Sequence, residues 1–287
     1  SGGVDMKDKM ENDNRVISIK VEDNTKINKQ VYLMSDVHFD SIACDRKTLK
    51  KHLDEAKAKD ALIILGGDWF DAMQGKFDTR RSLDELRPEY RTDRYFDVVV
   101  EDSAEFLKPY AKNIVAITQG NHELKVKRYS NTDLIERLAF YLRLAGSEVV
   151  VGGWRGWIRF MLAFTTRRSS IKLYYSHNAG GSSAAVTRGV IAVNRQAVYE
   201  PDANIIWNGH THTAYVMPIE RDRISEKGRT YHDVCWFVRT PGYKRDWDII
   251  DGYASQKGLG PSPVGCAIIT LEYVENYPKV HCDLNII

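Results

Sequence analysis

The chain has 287 residues with 41 basic and 39 acidic side chains, a net charge of +2. It therefore lacks the basic excess that marks a non-specific nucleic-acid binder, although a local basic patch is compatible with it. At 43% apolar and 28% charged residues the composition is ordinary for a globular protein and sufficient for one large α/β domain or two small ones. No apolar run approaches the ~20 residues that span a bilayer. The first thirty residues hold no signal-peptide core, and Cys44, Cys235, Cys266 and Cys282 show neither paired nor metal-binding spacing. A reduced, cytoplasmic protein with no membrane association is the expectation.

Ser1-Gly2-Gly3 reads as an expression remnant, and residues 1–28 as a flexible lead-in to a single domain over 29–287. The first strand is VYLMSDVH, ending in Asp36 and His38. A helix follows from Asp45, with Leu49, Leu53 and Ala56 on one face. The second strand, ALIILGGDWFD, ends in Asp68 and Asp71. Residues 72–91 are charge-dense and poorly periodic, an insertion over the sheet edge or the site. Arg80, Arg81, Arg87 and Arg91 alternate there with acidic residues, which fits a solvated surface better than a substrate-gripping flap. A second helix is predicted from Thr92 to Lys108, with Phe96, Val99, Val100 and Leu107 inward and Pro109 as its stop. NIVAITQGNHE is the third strand and ends in Asn121, His122 and Glu123. Ser130-x-x-Asp133 reads as the cap of a third helix with Leu134, Ile135, Leu138 and Leu142 on its apolar face and Gly146 as its end. Beyond Gly146 the chain is strand-rich; IKLYYSHN carries His177, and NIIWNGHTH ends in His210 and His212. A βα-alternating half followed by a strand-rich half predicts two mixed sheets packed face to face with helices outside.

Five of the eight histidines thus sit where short apolar strands end. In open α/β sheets ligands collect outside the carboxyl ends of the strands, so residues far apart in sequence can meet there. Asp36 with His38, and His210 with His212, are two apart and share one side of a strand end. A carboxylate beside an imidazole suits a divalent ion of intermediate hardness: Mn²⁺ first, with Fe, Zn or Ni also accommodated. Asp36, His38, Asp68, Asn121, His177, His210 and His212 make seven candidate ligands, too many for one tetrahedral ion and a natural number for two. Two ions ~3.5–4 Å apart clamp a phosphoryl group for in-line displacement, supply hydroxide at neutral pH and neutralise the equatorial oxygens. His122 stands next to a ligand with no ion of its own, which suits it to protonate the leaving alkoxide. Asp71 is placed to hold that imidazole in its working form. Glu123 reads as a salt-bridge partner that locks the loop. His52, His232 and His281 have no motif around them and suit surface or packing roles.

The set Asp36-x-His38, Gly67-Asp68-x-x-Asp71, Gly120-Asn121-His122-Glu123, His177 and Gly209-His210-x-His212 resembles the calcineurin-like metallophosphoesterase superfamily. Each piece alone is weak and the ordered combination is specific. The resemblance implies an αββα sandwich of two mixed sheets flanked by helices. It also implies a binuclear centre with Asp36, His38, Asp68 and His212 on one ion and Asp68, Asn121, His177 and His210 on the other, and His122 as the acid. Asp-Trp-Phe-Asp at 68–71 is similar to the metal-binding strand of double-strand-break-repair nucleases, which usually carry Asp where this chain has Glu123. Serine/threonine protein phosphatases have the Glu but follow the second Asp with Arg-Gly, where this chain has Ala72-Met73. Class III cyclic-nucleotide phosphodiesterases share the first and last motifs.

The leading expectation is a metal-dependent phosphodiesterase acting on nucleic acid or a nucleotide, a nuclease of the repair type slightly ahead of a cyclic or dinucleotide phosphodiesterase. A phosphomonoesterase, including a protein phosphatase, and a non-catalytic scaffold are the alternatives. Substrate contacts are expected in 72–91, 178–188 and 239–253. Arg188, Arg239, Lys244 and Arg245 would meet phosphate oxygens there, and Tyr243 and Trp247 would stack on a base.

Overall fold

The computed structural model describes residues 15–22, 27–73, 83–164, 167–178, 189–250, 255, 260–274 and 277–287. Two six-stranded sheets make the frame. In the first, β2 (Asn28–Ser35), β3 (Leu62–Gly66) and β4 (Ile114–Ile117) run parallel, with β5 (Val150–Val151) at one edge and β11 (Gly265–Val274) and β12 (Tyr277–Ile286) added antiparallel at the other. The second has the order β1 (Val16–Glu22), β6 (Arg155–Phe164), β7 (Arg167–Ser176), β8 (Ile205–Asn208), β10 (Thr230–Arg239), β9 (Tyr215–Ile224). Both sheets are mixed.

Side-chain alternation explains why the sheets stack. Along β2, Val31 and Leu33 face the other sheet and pack with Ile64, Phe160, Leu173, Ile205 and Ile269. Tyr32 and Met34, on the opposite face, meet helices. A strand buried on both faces reads as a continuous apolar run, which is how these strands appeared in the sequence. Helix α1 (Arg46–Ala58) buries Leu49, Leu53 and Ala56, and the Asp45 side chain caps it by accepting the Thr48 N–H at 2.9 Å. Helix α2 (Tyr95–Leu107) adds Val99, Val100 and Leu107 to the same layer. Helix α5 (Val190–Tyr199) lies beyond the second sheet, with Ala197 against the cluster of Tyr174, Ala203, Ile206 and Phe237. The layers are therefore α, β, β, α, as expected. Among the described residues no helix is long and apolar enough to cross a membrane. All four cysteines are free and buried.

Three expectations need correction. Within the supposed lead-in, Val16–Glu22 is β1, parallel to β6, with Ile17, Ile19 and Val21 buried on one face. Its period-two alternation was present but short, and charged neighbours masked it. Ser130 closes a helix rather than opening one: α3 spans Asn121–Ser130, and α4 (Leu134–Leu144) is capped by Asp133, which accepts the Glu136 N–H at 3.1 Å. The α-helix α2 does stop ahead of Pro109, as expected, and the chain continues as a 3₁₀ segment, Lys108–Asn113, in whose first turn the missing N–H of Pro109 costs nothing. In the insertion, Leu83, Asp84, Glu89 and Arg91 are exposed, as expected of a solvated surface, but the segment is also stitched down. Leu86 and Tyr90 are buried, and Arg87 donates to the carbonyls of Ser41 (3.0 Å) and Cys44 (3.1 Å). Arg80 and Arg81 lie outside the described residues.

Candidate metal centre

β2, β3 and β4 are parallel to one another, and so are β7 and β8, so five carboxyl ends open at one rim of the sandwich. The chain leaves each strand there through residues that carry Asp or His. Asp36, His38, Asp68, His210 and His212 have φ of +52°, +49°, +55°, +71° and +53°. Non-glycine residues avoid this left-handed region at a cost of about 1 kcal/mol or more each, and such strain persists where the surroundings fix it. Here the backbone is pinned from several sides. Asp36 N donates to Gly67 O (3.0 Å), His38 N to Asp68 O (3.1 Å), and Tyr243 N to Asp36 O (3.0 Å). His210 N donates to Asp36 Oδ1 (2.8 Å) and His122 N to Asp68 Oδ1 (3.0 Å). Two glycines let the loops approach. A Cβ on Gly120 would lie 2.1 Å from Asp68 Oδ1, and one on Gly209 2.3 Å from Asp36 Oδ2.

The side chains converge in two groups. Asp36, His38 and His212 form one and Asp68, His177 and His210 the other, with donor atoms in each group within 4.8 Å of one another. His38 Nε2 and His212 Nε2 are 3.3 Å apart, and His212 Nε2 is 3.6 Å from Asp36 Oδ1. His177 Nε2 lies 2.9 Å from Asp68 Oδ2 and 3.9 Å from Asp36 Oδ1, which joins the groups. Asn121, at the start of α3, buries an Oδ1 that meets no hydrogen-bond donor among the described residues. An orphaned buried acceptor is costly unless a cation takes it. The donor set of carboxylate, amide oxygen and imidazole fits divalent ions.

Electrostatics agree with that fit. Burial pulls His210 and His212 down to about 4, leaving both as neutral imidazoles able to ligate. Burial also acts against the charged form of His177, but Asp68 and Asp36 outweigh it and lift the group to about 9. Asp68 is desolvated too, yet His177 and His122 hold it well below the usual carboxylate range. Burial raises Asp36 despite the opposing pull of His177 and His212.

His122 is buried at the rim with Nε2 3.8 Å from Asp68 Oδ2, in a group with His38 and Asp68. Its Nδ1 donates to the backbone carbonyl of Asp71. The Asp71 carboxylate, expected to orient His122, instead accepts from His38 Nδ1 (2.7 Å) and Lys244 Nζ (3.2 Å). The turn explains the difference. Asp71 N and Ala72 N donate to the buried Asp40 carboxylate (2.6 and 3.0 Å), and Ala72 takes φ +49°. Asp40 was missed in the sequence; an aspartate within apolar surroundings two residues past His38 was its signal. Glu123 locks loops as expected, though through backbone groups rather than a salt bridge. It accepts the N–H groups of Asp68 (3.1 Å), Phe70 (3.0 Å) and Gly120 (2.9 Å), and burial with the Asp68 charge pushes its carboxyl up to about 7.

Most of the expected substrate contacts are elsewhere. Arg239 is fully buried, donates through Nη1 to Thr211 Oγ1 (3.1 Å) and supports the loop that carries His210 and His212. Tyr243 is fully buried in the helix-side core with its hydroxyl 3.0 Å from His52 Nδ1, so no base can stack on it. Lys244 is buried between Asp71 and Asp246, and Arg245 pairs with Asp45 at 2.8 Å. The stretch is held by backbone pairing, Asp45 N to Tyr243 O and Arg245 N to Ala43 O (2.8 and 2.9 Å), with Tyr243 and Lys244 turned inward and the Arg245 side chain half-exposed. Trp247 alone of the described set stays exposed, at 43%. Arg188 and residues 179–187 lie outside the described residues.

Residues 29–214, which carry every one of these ligands, match the family model for calcineurin-like phosphoesterases. The chain belongs to the calcineurin-like phosphoesterase family. With its Asp/His clusters, this phosphoesterase is a metal-dependent phosphoester hydrolase. Among solved structures it is similar to a conserved uncharacterised protein, a predicted phosphoesterase, from Streptococcus pneumoniae, with 14% identity over 90% of each chain and a TM-score of 0.33. It is also similar to vacuolar protein sorting 29 from Cryptosporidium parvum, with 10% identity, 91% of this chain and 100% of that one covered, and a TM-score of 0.40. The Zn²⁺ complex of the same protein from Entamoeba histolytica gives 10% identity, 89% and 98% coverage and a TM-score of 0.36. No curated protein matches the phosphoesterase in sequence.

Proposed function

We propose that this phosphoesterase hydrolyses phosphodiester bonds in nucleic acid or nucleotides with two divalent ions, Mn²⁺ foremost. The convergence of the two ligand groups around Asp68, with His122 beside them, carries this reading. Asp36, His38, Asp68 and His212 would hold one ion, and Asp68, Asn121, His177 and His210 the other. Bound ions would supply Lewis acidity and a nucleophile at neutral pH. The Asp71 carbonyl fixes the Nδ1–H of His122 and leaves Nε2 facing the centre, where it can deliver a proton to the leaving oxygen.

Trp247 supports a nucleotidic substrate. It is exposed and follows Asp246, whose Oδ2 is 4.0 Å from His212 Nδ1, so the chain at Trp247 runs close to the centre. An aromatic face there would add roughly 1–3 kcal/mol by stacking on a base. Trp247→Ala should raise KM about tenfold or more for a single-stranded oligonucleotide or a dinucleotide, given that stacking energy. It should leave bis-p-nitrophenyl phosphate hydrolysis nearly unchanged. A wild-type preference for monoesters over all of these diesters would sink the proposal.

A further inference from the structure

The two ligand groups are not backed alike. Behind Asp36, His38 and His212 lies Lys244, buried, with Nζ 3.2 Å from Asp71 Oδ1 and 3.2 Å from Asp246 Oδ1. Asp71 Oδ1 is in turn 2.7 Å from His38 Nδ1, and Asp246 Oδ2 is 4.0 Å from His212 Nδ1. One ammonium thus joins two carboxylates: Asp71 is hydrogen-bonded to the outer nitrogen of His38, and Asp246 faces the outer nitrogen of His212 at ion-pair range. Lys244 is itself held in place, because its backbone bridges to Cys44 while Tyr243 and Arg245 pair with Asp36, Ala43 and Asp45. Around Asp68, His177 and His210 the described contacts are different. His177 stands edge-on to Trp154 and His210, at 5.2 and 5.3 Å between ring centroids, with no lysine–carboxylate pair behind it.

We propose that Lys244 is a positioning residue for one ion alone: it clamps Asp71 and Asp246 against His38 and His212, and so builds the Asp36–His38–His212 site without touching the other. The inference rests on the two-ion reading above. Outer partners orient a ligating imidazole and select its ligating nitrogen, and without the ammonium the buried Asp71 and the half-buried Asp246 would repel each other and leave those positions.

The test uses the full chain stripped of metal and titrated with Mn²⁺, with bound ions counted by elemental analysis and followed by electron paramagnetic resonance. Wild type should bind two ions with a coupled signal. Lys244→Met should keep one ion at wild-type affinity and bind the other about 10–100-fold more weakly, the usual effect of losing an outer partner. An isolated six-line Mn²⁺ spectrum should then dominate at intermediate concentrations, and Lys244→Arg should largely restore coupling. Adding His177→Asn to Lys244→Met should abolish tight binding, whereas adding His212→Asn should leave one ion. Two ions at wild-type affinity in Lys244→Met, or equal weakening of both in a folded variant, would overturn the clamp and leave the two-ion reading standing. If the Met variant does not fold, Asp246→Asn takes its place: selective weakening of one ion supports the clamp, and unchanged binding overturns it. A wild type that binds a single ion would bring down the two-ion reading and the clamp together.

Discussion

His122 and His177 are both buried imidazoles at the rim, yet their neighbours give them different work. His122 has Nδ1 tied to a peptide carbonyl and Nε2 turned to the centre, the arrangement that the proposed proton donor needs. His122→Ala should therefore keep both ions while turnover falls by ~10²–10⁴, the share of a positioned proton donor. The deficit should shrink for esters with good leaving groups, and a variant that loses its metal instead would show that His122 is a ligand. His177 lies against Asp68, whose charge outweighs burial and lifts the imidazole to about 9. An ion arriving at neutral pH must displace the proton of that imidazole, so affinity should rise with pH below about 9. The slope expected for one displaced proton is about tenfold per pH unit. Titration in weak buffer should release protons on Mn²⁺ binding, and an affinity flat between neutral pH and pH 9 would contradict the assignment.

The loops after β3 and β4 and the first turn of α3 behave as one piece because a single carboxylate joins them. Glu123 reaches back from the third position of α3 to the Gly120 N–H, as in a capping box, and extends to Asp68 and Phe70. Glu123→Ala leaves three buried N–H groups without an acceptor, each worth about 1–3 kcal/mol. Chemical denaturation should show a loss of roughly 3 kcal/mol or more, with weaker metal binding; a loss below about 1 kcal/mol would mean that water replaces the carboxylate. The candidate ligands were legible in the sequence because each follows an apolar run and an α/β sheet brings strand ends together. What was illegible came from pairing between distant segments. The aromatic-basic stretch 239–247 looked like a surface loop, but its backbone bonds to residues 36, 43 and 45, and Tyr243 and Lys244 turn inward. Helix α3 was hidden because its first turn coincides with the Gly-Asn-His-Glu motif, so function took the positions where an amphipathic pattern would begin.

Across the whole molecule, the two sheets serve to bring Asp36 and Asp68 from one and His177, His210 and His212 from the other to a common rim. On the proposed two-ion reading, neither sheet alone holds a complete set of ligands. Binding of ions therefore couples the two halves and should stabilise the chain as a unit by mass action. The measurement that bears most directly on this reading is phosphodiester hydrolysis by protein dialysed exhaustively against chelator and then titrated with Mn²⁺. Activity should vanish in excess EDTA and return as the ions bind, with the melting temperature rising over the same Mn²⁺ range. Full activity in excess EDTA after exhaustive dialysis would contradict it.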